Sequence, residues 1–264
     1  MCHLDRARSR GLGGPRTPRS SCRRSIHTIK YRPEISAALG LAGSCLTFPT
    51  ERLYRCLVHI LVYLGRSPSL GTWYSAHSAD KGLRVFADAN WGVTRSVTGF
   101  VILLAGGAIA HASRRQHCIS MSSCESELIA LADCAIELLH VVALLRFIGY
   151  EQEHEVDVCT DNKAAYDLCH RFSSAQHTRH IDRKLFKMRE LRGSGVVSVR
   201  HIPTDSNPAD LFTKILTRVP FERHRKTTLN LPGDTGMEHG ARERGKARKS
   251  VRFVGGSTEG SAAP

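Results

Sequence analysis

Residues 83–131 decide the fold class, and their sequence is LRVFADANWGVTRSVTGFVILLAGGAIAHASRRQHCISMSSCESELIAL. From Leu83 to Asp88 successive side chains alternate between two faces, which is the period of a β-strand. Two further apolar runs, from Thr98 to Ala105 and from Ala108 to about Met121, lie on either side of Gly106-Gly107. Because paired glycines favour a tight turn between strands, this pattern predicts a β-hairpin after the first strand.

A long helix follows the hairpin. Ser122 and Ser123 precede it as residues that favour helix starts, and Gly149 ends it. One continuous apolar stripe with three- and four-residue spacing runs between them and consists of Leu128, Leu131, Ala135, Leu138, Val142 and Leu145. Such a stripe is typical of a helix that buries one face against a core.

The remaining pattern alternates strands and helices. Residues 155–160 predict a fourth strand, which leads into a helix that ends near Cys169. A basic helix from about Thr178 to Arg192, a fifth strand from Val196 to Ile202 and a final helix, ADLFTKIL (209–216), follow. This order predicts an α/β fold, in which a mixed five-stranded sheet has helices on both faces.

The charge is concentrated at the two ends of the chain, whose formal net charge is +14. Residues 1–27 hold seven Arg and one acid, and residues 217–264 hold ten Lys or Arg and five acids. We expect both to be disordered basic tails that bind polyanions through counterion release, with a transit peptide as the alternative for the first. Residues 28–79 show helical spacing and form a short helical segment before the main domain, residues 80–216.

The composition argues against several classes of protein. None of the nine Cys stand at CxxC spacing, so neither a zinc site nor a redox pair is indicated. An odd Cys count without a secretory leader fits a reducing compartment, and we expect an intracellular protein, cytoplasmic or nuclear. No apolar run approaches the roughly 20 residues that a membrane span needs. We therefore expect no membrane partner, and no motif indicates a small-molecule cofactor.

Four acids fall at the ends of four separate elements. Asp88 ends the first strand, Glu127 lies in the first turn of the long helix, Asp161 follows the fourth strand, and Asp210 opens the last helix. Singly, each has a structural explanation as a turn residue, a helix-start acid or a helix cap. Together they can meet at one edge of the sheet, where strand ends gather. Such a carboxylate cluster suits two Mg²⁺ ions that promote phosphodiester hydrolysis.

The acids lie within segments that resemble, in the same order, the ribonuclease H domain of copia-type LTR-retrotransposon Pol polyproteins. These segments are VFADANWG (85–92), the run from Ser96 to Cys134, VCTDNKAA (158–165), HTRHID (177–182) and HIPTDSNPADLFTKIL (201–216). The resemblance implies a ribonuclease H-like fold and an endoribonuclease that cleaves the RNA strand of RNA–DNA hybrids. It also implies that Asp88, Glu127, Asp161 and Asp210 bind two Mg²⁺ ions, with Mn²⁺ as an alternative.

Within CESE the resemblance selects Glu127 rather than Glu125, and Glu127 also borders the buried stripe. Two departures from the family pattern stand out. The family commonly has a second Asp where Asn90 stands, and other ribonucleases H have a His in the loop before the last Asp, whereas His201 lies upstream on a strand. Residues 28–79 resemble the connection between reverse transcriptase and nuclease, so a reverse transcriptase domain or subunit is an expected partner.

Several polar and basic residues are candidates for contacts with the nucleic-acid backbone. They are Arg114, Arg115, Asn162, Arg179, His180 and Lys184. The structural alternatives are an exposed hairpin end, a helix cap and a solvated helix face, and the HxxH spacing of His177 and His180 also allows a metal pair. The alternative to the enzyme is a non-catalytic nucleic-acid-binding protein or a structural remnant of a reverse transcriptase assembly.

Overall fold

The computed structural model describes residues 28–48, 50–75, 82–92, 94–150, 152, 154–170 and 182–231. The predicted N-terminal tail, the last 33 residues of the predicted C-terminal tail (232–264) and most of the HTRHID segment lie outside the described residues. The predictions for Arg179, His180 and the HxxH pair therefore concern residues that the structure does not describe.

The described residues form five strands and seven α-helices. The strands are β1 (Arg84–Asn90), β2 (Val97–Leu104), β3 (Gly107–Arg115), β4 (Val156–Thr160) and β5 (Val197–His201). The helices are α1 (Ser36–Ser44), α2 (Glu51–Arg66), α3 (Ser123–Phe147), α4 (Lys163–His170), α5 (Asp182–Gly193), α6 (Asp210–Thr213) and α7 (Arg218–Leu229).

The strands form one mixed sheet in the order β3-β2-β1-β4-β5. The first three strands pair antiparallel, whereas β4 pairs parallel with both β1 and β5. The predicted mixed five-stranded sheet is therefore confirmed. The hairpin turn falls at Ala105-Gly106, where both residues have positive φ, and β3 ends at Arg115, well before the expected end near Met121, because its pairing with β2 stops there.

Helices pack on both faces of this sheet, as predicted. On one face α3, α4 and α5 cover a core that includes Val85, Ala87 and Phe100. On the other face α6 packs against Phe86 and Val101. Neighbouring strand residues point to opposite faces, so each strand contributes to both cores.

The first turn of α3 is fixed by a side-chain cap. Ser122 Oγ accepts a hydrogen bond from the backbone N of Glu125 (3.2 Å), and the Glu125 carboxylate accepts one from the backbone N of Met121 (2.6 Å). This reciprocal arrangement resembles a capping box. Glu125 is therefore the helix-start acid, and the alternative in which Glu127 has that role is wrong.

α3 is long and apolar enough, by length and composition alone, to cross a membrane, with a mean hydropathy of 2.2 over an 18-residue stretch. The expectation that no apolar run approaches membrane length is therefore wrong for this helix. Half of that stretch is buried inside the protein, where α3 packs on the sheet. The place of the helix in the core thus explains the apolar residues of its buried half, whereas Ile136, Leu144 and Phe147 are exposed.

The prediction that the chain is disordered from residue 217 onward is wrong for α7. This helix buries His224 and Leu229, which are 3% and 0% exposed, and Asn230 in the left-handed conformation ends it. The abundant basic residues obscured this, because the few apolar residues among them are enough to anchor one face of the helix. The helix predicted over 209–216 is also shorter than expected, since the backbone turns extended at Lys214.

The N-terminal helices lie against α7 and the hairpin. α1 and α2 share a small core that contains Leu39 and Leu57. Residues 71–75 then run to the edge of the sheet domain. Among the hydrogen bonds that join the two parts are those from Arg225 Nη1 to Tyr63 Oη (3.2 Å), from Trp73 N to Leu229 O (2.9 Å), and from Tyr74 Oη to Ala108 O (2.7 Å).

Candidate metal centre

Asp88 lies near the end of β1 and is 3% exposed. It pairs with Gly99 on β2, where a β-carbon would lie only 2.5 Å from Thr213 Cγ2 and 3.0 Å from the carbonyl oxygen of Ala209. The glycine therefore allows α6 to approach the sheet closely at this point. As a result Asp210, at the start of α6, comes next to Asp88, and the Thr213 hydroxyl donates a hydrogen bond to the Asp88 carboxylate.

Asp161 reaches the same place from β4. Because β1 and β4 are parallel, their carboxyl ends lie side by side. The fully buried Asn207 side chain donates hydrogen bonds to Asp161 Oδ1 (3.4 Å) and to the backbone oxygen of Ala87 (3.1 Å). Carboxylate oxygens of Asp88, Asp161 and Asp210 all lie within 4.8 Å of one another, so three of the four predicted acids form one compact group.

Glu127 approaches this group from the first turns of α3. It is 6% exposed, accepts a hydrogen bond from the backbone N–H of Ala89, and its Oε2 is buried without a hydrogen-bond partner among the described residues. It is not part of the 4.8 Å group, but it interacts electrostatically with Asp88 and Asp161. The structure thus brings all four predicted acids to one end of the sheet, with Glu127 as the outlying member.

Burial and mutual repulsion favour protonation of these acids in the absence of cations. Burial, together with the nearby Asp210, raises the pKa of Asp88 to about 7. Burial, together with Asp88 and Asp161, raises the pKa of Glu127 to about 9. Burial also raises the pKa of Asp210. Divalent cations would favour the ionised forms, and clustered carboxylate oxygens are the donors that Mg²⁺ and Mn²⁺ prefer, so these residues fit such ions.

Three residues that the sequence argument did not single out complete the centre: Asn207, Thr213 and Lys214. Lys214 Nζ lies 2.8 Å from Asp210 Oδ1. All three stand within the segment HIPTDSNPADLFTKIL, so their proximity to Asp210 was the available signal. Asn90, one of the two noted departures from the family pattern, donates a hydrogen bond to the Thr213 backbone oxygen (3.5 Å) and so supports α6.

The described candidate nucleic-acid residues lie in three places. Arg114 and Lys184 both pair with Asp133 on α3, at 3.6 and 3.0 Å, and so share one surface. Arg115 lies at the exposed end of β3, on the opposite face from Arg114. Asn162 lies beside the acid group, where its Oδ1 accepts a hydrogen bond from Ala165 N (2.9 Å), which is the helix-cap arrangement.

The chain has clear relatives among transposon proteins. It is 30% identical over 195 residues to the retrovirus-related Pol polyprotein from transposon TNT 1-94 of Nicotiana tabacum, a match that covers 72% of this chain and 14% of the relative. It is 29% identical over 195 residues to the Pol polyprotein from transposon RE2 of Arabidopsis thaliana, covering 72% of this chain and 13% of that protein. Homologues of this chain thus include retrovirus-related Pol polyproteins of plant transposons. The chain thus spans about one seventh of their length. No family model matches it.

Solved structures with some similarity include two nucleic-acid complexes. One is LC11-RNase H1 in complex with an RNA/DNA hybrid, with a TM-score of 0.38, 17% identity, and coverage of 50% of this chain and 93% of that chain. The other is a foamy viral protease–reverse transcriptase in complex with dsDNA, with a TM-score of 0.48, 12% identity, and coverage of 73% of this chain and 40% of that chain.

Proposed function

We propose that this chain is a metal-dependent endonuclease that cleaves the RNA strand of RNA–DNA hybrids. The observation that carries the proposal is the convergence of four acids from four elements, with three aspartates inside 4.8 Å and Glu127 beside them. Without cations the ionised form of such a group destabilises the fold, because burial and repulsion between like charges disfavour it. The homology to Pol polyproteins and the resemblance to their ribonuclease H domain supply the substrate class.

In this proposal Asp88, Asp161, Asp210 and Glu127 hold two divalent ions. When bound, these ions supply an activated water and stabilise the leaving oxygen. Thr213 and Asn207 orient the carboxylates of Asp88 and Asp161 through hydrogen bonds, so the ligands are positioned before an ion arrives.

We further propose that Arg114 and Lys184 contact the phosphate backbone of the hybrid. Their side chains are 50% and 37% exposed and lie close to Asp133, so one short surface presents two positive side chains. Phosphate contacts of this type position a duplex without selecting its sequence. The proposal also places the chain in the cytoplasm or nucleus, with a reverse transcriptase domain or subunit as its partner.

The decisive test is cleavage of a hybrid labelled on each strand, by the full chain, in Mg²⁺ and in Mn²⁺. We expect cleavage of the RNA strand alone, and loss of cleavage with a chelator. Asp161→Asn should abolish it, because an amide is a much poorer cation ligand than a carboxylate. Asp157→Asn is the matched control, since Asp157 lies on β4, four residues before Asp161, and pairs with Arg200 away from the centre (2.7 Å).

A folded protein that binds the hybrid but cuts neither strand in either metal would contradict the proposal. That result would favour a non-catalytic nucleic-acid-binding protein. Cleavage that appears only after a reverse transcriptase domain is added would instead assign the chain to a larger assembly.

A further inference from the structure

Lys214 places a positive charge inside the acid group. Its Nζ lies 2.8 Å from Asp210 Oδ1, and its charge also interacts with Asp88 and Asp161. The Lys214 side chain is 39% exposed, whereas that of Asp210 is only 8% exposed. The flexible ammonium can therefore leave for solvent, while the carboxylate is held in the centre.

This pair differs from the ordinary ion pairs between residues four apart on the surface. Lys163 Nζ lies at a similar distance, 3.0 Å, from Asp167 Oδ1, but these two side chains are 63% and 29% exposed. Solvent screens such a pair, so its contribution is small. The partner of Lys214 is nearly buried and has two further carboxylates within 4.8 Å, so the ammonium acts on a concentrated negative charge.

Once two divalent ions bind, the positive charge of Lys214 is no longer needed to balance the carboxylates of the centre. Four ionised carboxylates carry four negative charges, which two divalent ions would neutralise completely. An ammonium that remained at Asp210 would repel the ions and would occupy an oxygen that they need as a ligand.

We propose that Lys214 is an internal competitor of the divalent ions, which holds Asp210 in the metal-free protein and leaves that oxygen when an ion binds. The proposal rests on the proposed function for the identity of the centre as a two-ion site. Lys214 then has two opposite effects: it stabilises the metal-free protein, and it raises the Mg²⁺ concentration that the centre requires.

The test uses the full chain, stripped of metal, and follows the thermal midpoint as Mg²⁺ is added. Lys214→Met should lower the midpoint in chelator, because the carboxylates lose their counterion. The substitution should also lower, by about tenfold, the Mg²⁺ concentration at which half of the metal-induced rise in the thermal midpoint is reached. Lys187→Met is the matched control, since its side chain is equally exposed at 39% and pairs with Glu190 outside the centre; both quantities should stay at the wild-type values.

Lys214→Arg gives a second check in a variant that keeps the charge, so it should not bind Mg²⁺ more tightly than the wild type. Equal Mg²⁺ affinity of the wild type and Lys214→Met would overturn the competition while leaving the nuclease proposal intact. If Lys214→Met binds Mg²⁺ and the wild type does not, the result would support the competition and contradict the nuclease proposal. If neither protein binds Mg²⁺, both proposals fall.

Discussion

At the scale of single residues, the acid group sets the conditions under which the protein is stable. Glu127 and Asp88 are nearly buried, and their carboxyls have raised pKa values of about 9 and about 7. Two imidazoles, that of the buried His224 and that of the partly buried His111, titrate in the opposite sense, since burial lowers the pKa of each to about 4. Because these groups change charge in different ranges, pH can separate their contributions.

We predict that the metal-free protein loses stability as the pH rises from 6.5 to 9. A carboxyl whose pKa is raised on folding stabilises the fold fully below its unfolded pKa, and this contribution disappears as the pH rises through the folded value. For Glu127 that range extends to about pH 9, and the slope is on the order of 1 kcal/mol per pH unit. The histidines lose their contribution only as the pH falls from about 6.5 to 4, outside this range.

Thermal unfolding in chelator between pH 6.5 and 9 measures this effect. Glu127→Gln should flatten the dependence, because the amide does not titrate and can still accept the Ala89 hydrogen bond. Asp157→Asn, on the surface of β4, should leave the slope unchanged. A wild-type midpoint that stays constant or rises over this range would show that Glu127 is already ionised in the metal-free fold.

The identity of the acids could be predicted from the sequence, whereas their supporting contacts could not. Asp88 stands near the end of one strong strand pattern and Asp161 directly follows another, so their place at the sheet edge follows from local periodicity. The hydrogen bonds from Thr213 and Asn207 depend on how closely α6 approaches the sheet. That approach is set by the absence of a side chain at Gly99, a tertiary contact that leaves no periodic signal.

At the scale of elements, α7 shows where composition misleads. The strands and α3 were predictable because each is rich in apolar residues and is bounded by turn or cap residues. α7 has few apolar residues among many basic ones, yet Leu229 at its end is fully buried. A few anchoring side chains are enough when the helix packs on an existing surface, since most helical stability in proteins comes from such packing.

We predict that Leu229→Ala lowers the free energy of unfolding by about 2–5 kcal/mol, the usual cost of truncating a buried leucine. Val219→Ala, in the same helix but 68% exposed, should change it by less than about 0.5 kcal/mol. Urea unfolding followed by circular dichroism measures both. Equal, negligible effects of the two substitutions would mean that the helix does not pack on the domain in solution.

At the scale of the whole molecule, the N-terminal helices and the sheet domain share a boundary of hydrogen bonds. The bond from Arg225 to Tyr63 connects α7 with α2, and the bond from Trp73 to Leu229 joins the connecting segment to the end of α7. Gly107 supports this contact, because a β-carbon there would lie 2.5 Å from the backbone oxygen of Trp73. These contacts indicate that residues 28–75 and the sheet domain stabilise each other.

We therefore predict that the two parts unfold in one cooperative transition. Leu57 belongs to the small core of the N-terminal helices and is 2% exposed, so Leu57→Ala should lower the free energy of unfolding by about 2–5 kcal/mol.

In a Trp73→Phe background the remaining tryptophan, Trp91, reports on the sheet domain through its fluorescence. If unfolding is cooperative, Leu57→Ala shifts the urea midpoint measured by Trp91 fluorescence as much as the midpoint measured by far-UV circular dichroism. Val62→Ala, on the exposed side of the same helix, should shift neither. A Trp91 midpoint that does not respond to Leu57→Ala would mean that the sheet domain is stable on its own and that the N-terminal helices only rest against it.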